Sequence, residues 1–156
     1  MKKITLLFAF IAISAFTFGQ VKVDESGMFK QIFGYEKKEI VSNFVHPTDA
    51  QKAAFWKLWD EYEAKRKQNG KIRYDLYKEY SSKYTSMTDK EVDDWFKKSL
   101  DVQKTYDNLI AEYYEKIKSA TNSIVALQFS QIEYYIISKM RVKILEEIPF
   151  LPQEKK

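Results

Sequence analysis

The chain has 156 residues, with 26 Lys+Arg against 22 Asp+Glu, one histidine, no cysteine, four glycines and three prolines. Without cysteine there is no disulfide, no thiolate nucleophile and no Cys-ligated zinc, and a lone His46 excludes a His-pair metal site and the two-His di-iron bundle. So few glycines and prolines exclude a turn-rich β fold, while aromatics at 16% of the chain need an explanation.

Lys2 and Lys3 precede an uncharged apolar run from Ile4 to Phe18, and Thr17 and Gly19 supply small residues before Gln20. This order predicts a cleavable export signal over residues 1–19. The run has 15 residues, short of the roughly 20 that a spanning helix needs, so no stable membrane span is expected after cleavage. Residues 20–156 then form one all-helical domain in the periplasm. Removing Lys2 and Lys3 from the 26 basic residues leaves 24 against 22 acids. That near-balance, together with export, argues against a nucleic-acid partner.

The first predicted helix spans about 26–45, with Phe29, Ile32, Phe33, Ile40, Val41 and Phe44 apolar and Gly34 weakening its centre. His46-Pro47 ends it; the histidine reads as an ordinary turn residue. Thr48 to Gln51 is a capping box, in which the threonine hydroxyl takes the N3 amide and the glutamine reaches back. A long helix over about 48–87 follows. Phe55, Leu58, Trp59 and Tyr62 lie at helical spacing, and Ile72, Leu76, Tyr80 and Tyr84 step by four. Thr88 to Glu91 is a second capping box and opens a helix over about 88–120, with Val92, Trp95, Phe96, Leu100, Tyr106, Leu109, Ile110, Tyr113 and Ile117 as its buried face. Thr121-Asn122-Ser123 breaks the chain, and a last helix over about 123–147 ends before Pro149. That helix has two apolar rows. Val125, Phe129, Ile132, Ile136, Met140 and Ile144 form one. Tyr134, Ile137, Leu145 and Ile148 form the other, interrupted by Arg141. Two rows exceed what one packing partner covers, so this helix is either central or part of a subunit interface.

Residues 48–87 contain no proline, and a continuous helix of that length is about 60 Å long. A compact domain of this size is only about 40 Å across. The expected architecture is therefore an elongated helical hairpin within a four-helix arrangement. A turn at Asn69-Gly70 would give the alternative, five shorter helices in a compact bundle. The step from Tyr62 to Asn69 to Leu76 keeps one helical register and favours continuity. A scaffold one layer thick leaves aromatic faces for another polypeptide to cover.

No nucleophile elbow, phosphate loop or dinucleotide fingerprint is present, so no enzyme, no bound cofactor and no ATP-driven mechanism are expected. Asp93, Asp94, Glu112, Glu115, Glu133, Glu146 and Glu147 lack histidine partners and read as solvated helix faces, with Glu133 partly buried beside Arg141. Tyr74, Tyr77, Tyr80, Tyr84, Tyr113 and Tyr114 offer wide contact area with a polar end. Lys65, Arg66, Lys71 and Arg73 belong to the one basic cluster. Together they are the candidate surface for binding a client protein.

The stretch HPTDAQKAAFWKLWDEYEAKRK, His46 to Lys67, resembles the LTxxQ-type segment of Spy/CpxP-like periplasmic proteins: Thr48 and Gln51 match, and Pro47 stands where the motif has leucine. Ala126 to Pro149, with Phe129, Gln131-Ile132-Glu133 and Ile148-Pro149, is similar to the C-terminal helix of exported helical proteins grouped with them. The likeness covers most of residues 47–150 through short motifs. It implies a dimeric helical cradle that holds unfolded or partly folded proteins without ATP, as an envelope-stress factor, with Thr48 and Gln51 as structural caps. Some relatives bind a sensor domain instead, so a regulatory or structural partnership with one envelope protein is the alternative.

Overall fold

A computed structural model describes residues 25–152. The expected signal at 1–19 lies outside them. Five helices and no strand occur among the described residues: α1 (Glu25–Phe33), α2 (Lys37–Phe44), α3 (Asp49–Lys83), α4 (Asp89–Ala120) and α5 (Ser123–Glu147). None is long and apolar enough to cross a membrane.

The first expected helix is two helices, which corrects the continuous 26–45 reading. Gly34 takes φ +73°, a left-handed conformation, and its N–H closes α1 on Lys30 O at 2.8 Å. The chain then re-enters helix at Lys37 in a new direction. This break lets both short helices pack on the bundle: α1 meets α3 and α5, and α2 meets α5.

The hairpin of α3 and α4 is the dominant packing in the molecule, and α4 packs next against α5. Helix α3 runs unbroken through Gly70, which is buried. Its 35 residues make it about 52 Å long. Capping boxes close both hairpin helices at their N-termini. Thr48 N–H donates to Gln51 Oε1 at 3.1 Å, and Thr88 N–H donates to Glu91 Oε2 at 2.9 Å. Asn122 caps α5 by accepting the Val125 N–H at 3.0 Å.

The core occupies one end. Phe29, Val41, Phe55, Trp59, Tyr62, Ile110, Tyr113, Ile117, Phe129 and Ile136 belong to it, and it takes nothing from α3 beyond Tyr62 or from α4 before Leu109. Tyr62 sits at its centre, edge-on to Tyr113 and Phe129 at centroid distances of 5.5 and 5.0 Å. Toward the hairpin tip the packing becomes an aromatic clasp. Trp95 lies 4.7 Å from Tyr80 and 5.6 Å from Tyr77, and its Nε1–H donates to Leu76 O at 3.2 Å. The Tyr80 hydroxyl donates to Pro149 O at 2.8 Å, which fastens the end of α5 to α3.

A β-carbon at Gly34 would meet no atom within 4 Å, so its conformation alone sets the effect of substitution. Gly34→Ala is expected to lower stability by about 1–2 kcal/mol, the cost of the left-handed region for an L-residue. Gly34→Asn should lose less, since asparagine tolerates that region. Urea denaturation of the two variants checks both values.

Candidate protein-binding surface

The acidic and basic residues divide sharply by depth. Lys37, at the first position of α2, reaches into the core, and its Nζ donates to Glu63 Oε2 and Glu133 Oε2, each at 2.7 Å. Arg66 grips Glu63 with two bonds, Nε to Oε2 at 2.7 Å and Nη2 to Oε1 at 2.8 Å. The Tyr62 hydroxyl donates to Glu133 Oε2 at 2.9 Å. Two cations thus balance two carboxylates across α2, α3 and α5, and all four side chains are buried. Burial pushes the Glu63 carboxyl up, but the bonds and charges of Arg66 and Lys37 outweigh it and hold it at about 2. Burial, and then the Glu133 carboxylate, hold the Tyr62 phenol well above its usual value, so it remains a donor. Glu133 Oε1 has no hydrogen-bond partner among the described residues. The sequence reading placed Glu133 beside Arg141. In the structure Arg141 is exposed and Lys37 takes that place, from a residue 96 positions away.

This ion cluster is nearly enclosed, though Lys37, Glu63 and Arg66 reach the wall of a pocket of about 430 Å³ between α1, α2 and α3. Its effect is positional. Desolvating charges offsets most of their attraction, so such a network adds little net stability over an apolar core. Its geometry nevertheless accepts one placement of α2 on α3 and α5.

The basic cluster read from sequence does not exist as a surface. Arg66 turns inward to Glu63, and Arg73 is buried with its guanidinium 4.8 Å from the Tyr106 ring. Lys65 pairs with Glu112 at 3.0 Å, and Lys71 with Asp75 at 2.5 Å. Neighbours on a helix point 100° apart, so a run of charges becomes a ring around the axis. The candidate tyrosines also separate. Tyr113 is in the core and Tyr80 in the clasp, both buried, so neither offers a client contact area. Tyr74, Tyr77, Tyr84 and Tyr114 are half-buried.

The bundle also leaves two grooves open along the tip-proximal half of the hairpin. One, of about 410 Å³, runs between α3 and α4. Ile72, Leu76 and Val102 make its apolar part, and Asp75, Glu79 and Asp101 outnumber Lys98 at its rim. The Lys83 hydrogen bond and charge hold the Glu79 carboxyl below its usual range. The other groove, of about 220 Å³, is bounded by α3, α4 and α5, with Tyr77, Phe96, Leu100 and Tyr134 among its walls. Leu76 and Val102 line both, so a single layer of side chains divides them. Ile72 is 57% exposed and Phe96 is 56% exposed. Helical spacing put Ile72 on an apolar stripe and Phe96 on the buried face of its helix, but among the described residues no further helix reaches this far along the hairpin to cover them.

Among the described residues, no group of three or more His, Cys, Asp or Glu side chains is placed to hold a metal ion. No protein-family model, curated protein or solved structure matches the chain.

Lys37→Met would leave one uncompensated buried carboxylate and is expected to lose about 3–5 kcal/mol at neutral pH. Adding Glu133→Gln removes that charge and should recover part of the loss. The wild-type protein carries a pH signature from the same cluster. The folded-state value of Glu63 lies below the ordinary glutamate value of 4.5, so its contribution is complete above about pH 4.5 and is lost as pH falls toward 2. The expected loss is on the order of 3 kcal/mol. Urea midpoints measured from pH 6 to pH 2.5 test both statements.

Proposed function

We propose that this chain is a non-catalytic protein-binding scaffold of the bacterial envelope, chaperone-like and independent of ATP. The observation that carries the reading is the paired grooves, with Ile72, Phe96 and Leu100 left to solvent on a hairpin one side chain thick between them. Exposed apolar side chains set in a polar rim are the usual mark of a protein contact. An open groove takes a linear segment, extended or helical, rather than a folded globule, which suits a holdase better than a lock-and-key inhibitor.

Each carboxylate at the rim of the larger groove is engaged by a neighbouring lysine, Asp75 by Lys71, Glu79 by Lys83 and Asp101 by Lys104. The groove therefore takes clients by apolar anchoring rather than by their charge. Export through residues 1–19 and the resemblance to Spy/CpxP-like proteins support the compartment and the mode of action.

The purified protein is expected to suppress aggregation of chemically denatured clients at near-stoichiometric ratio, with little preference between basic and acidic clients. Ile72→Asp and Leu100→Asp should weaken suppression several-fold while leaving thermal unfolding almost unchanged, because both positions are exposed. Light scattering and circular dichroism read the two effects. No suppression across several clients, with one saturable partner captured instead, would replace this reading by that of a dedicated partner of one envelope protein.

A further inference from the structure

Helix α5 is apolar on both sides. Phe129, Ile132, Ile136 and Met140 face the core. On the opposite side Ile124, Leu127, Tyr134, Tyr135, Val142 and Leu145 are between 45% and 71% exposed. A helix that is apolar all round is normally covered all round. Among the described residues only the edge of this face is touched, where Phe33 of α1 meets Tyr135 at a centroid distance of 6.2 Å.

We infer that the outer face of α5 is the seat of a second copy of the chain, packed antiparallel about a two-fold axis that passes between Tyr134 and Tyr135. Three observations fix the occupant and the register.

The spacing comes first. Ile124, Leu127, Gln131, Tyr134, Ser138, Val142 and Leu145 follow one another by three or four residues, the pattern of a helix–helix seam.

The order along that seam is the second. An isologous interface must be self-complementary, each residue meeting what its own mirror position supplies. Folding the seam about its midpoint opposes Ile124 with Leu145, Leu127 with Val142, Gln131 with Ser138, and Tyr134 with Tyr135. Apolar meets apolar, polar meets polar, and ring meets ring at every step. An unrelated partner gives no reason for this symmetry. The charges on the flanks obey it too: Arg141 falls opposite Gln128 and Glu146 opposite Ser123, so no like charges meet there.

Area is the third. The six exposed apolar side chains offer about 500 Å². A standard stable interface takes about 800 Å² from each partner, with roughly three-fifths of it apolar. The face therefore supplies the apolar share of one such interface and little more. This inference is independent of the client grooves, because most of the seam points away from them.

Sedimentation of the purified wild-type protein is expected to show a dimer at micromolar concentration. Leu127→Glu and Val142→Lys, made singly, each bury unpaired charge twice across the two-fold axis. Each should weaken dimerisation by about 100-fold or more. The double variant sets the new carboxylate opposite the new ammonium and should restore most of the dimer. Both positions are exposed in the monomer, and circular dichroism confirms that the variants fold. As a second reading of register, the chain has no native cysteine, so Gln131→Cys with Ser138→Cys should form an intermolecular disulfide under mild oxidation. A wild-type monomer at about 100 µM would overturn the proposal. So would single variants that dimerise as the wild type does, or a double variant no better than the singles.

Discussion

The structure depends on α3 staying helical through Gly70. A glycine inside a helix costs about 1 kcal/mol relative to alanine, and here that local preference for a break is overridden. Burial of Gly70 and the continuous facing surface of α4 supply the opposing term. One consequence follows directly. A hairpin of about 50 Å cannot be enclosed by two short N-terminal helices of nine and eight residues. They cover one end, where the core lies, and the other end keeps its apolar side chains half in water.

The ion cluster decides which end is covered. α1 and α2 present modest apolar faces of their own, with Phe29, Ile40 and Val41 as their buried anchors. Apolar contact is nondirectional and would tolerate sliding along α3. Lys37 removes that freedom, because its ammonium must reach both Glu63 and Glu133 at once. The left-handed turn at Gly34 gives α2 the change of direction that this reach requires. A conformational device in the loop and an electrostatic device in the core thus specify one docking. Among the surfaces that this docking leaves over are the two grooves toward the hairpin tip and the outer side of α5.

Much of the fold was legible in residue order. The two Thr-x-x-Gln/Glu boxes mark the starts of α3 and α4, because a cap is a local interaction within four residues. Pro149 and the Thr121-Asn122-Ser123 break mark the limits of α5 for the same reason. The second apolar row of α5 was also visible, since periodicity registers a face whether or not anything covers it. Less legible was the break at Gly34. A glycine signals freedom to turn without saying whether the turn is taken, and the same residue type at position 70 stays helical. The surface was misread where linear neighbours were treated as spatial neighbours. Arg66 and Arg73 left the basic cluster for the interior, and Tyr80 and Tyr113 left the aromatic one.

The amino-acid order by itself determined the helical class and the excess of apolar surface over what one bundle can bury. These follow from interactions within a helical turn and from composition, which need no partner to be named. Tertiary structure decided that α3 stays helical through Gly70, that Lys37, Glu63, Tyr62 and Glu133 meet, and that Ile72, Phe96 and Leu100 remain exposed. Each of these rests on contacts between residues many turns apart, up to 96 positions for Lys37 and Glu133, or on a covering helix that stops short. Such facts are set by where whole elements dock, and no local pattern encodes them.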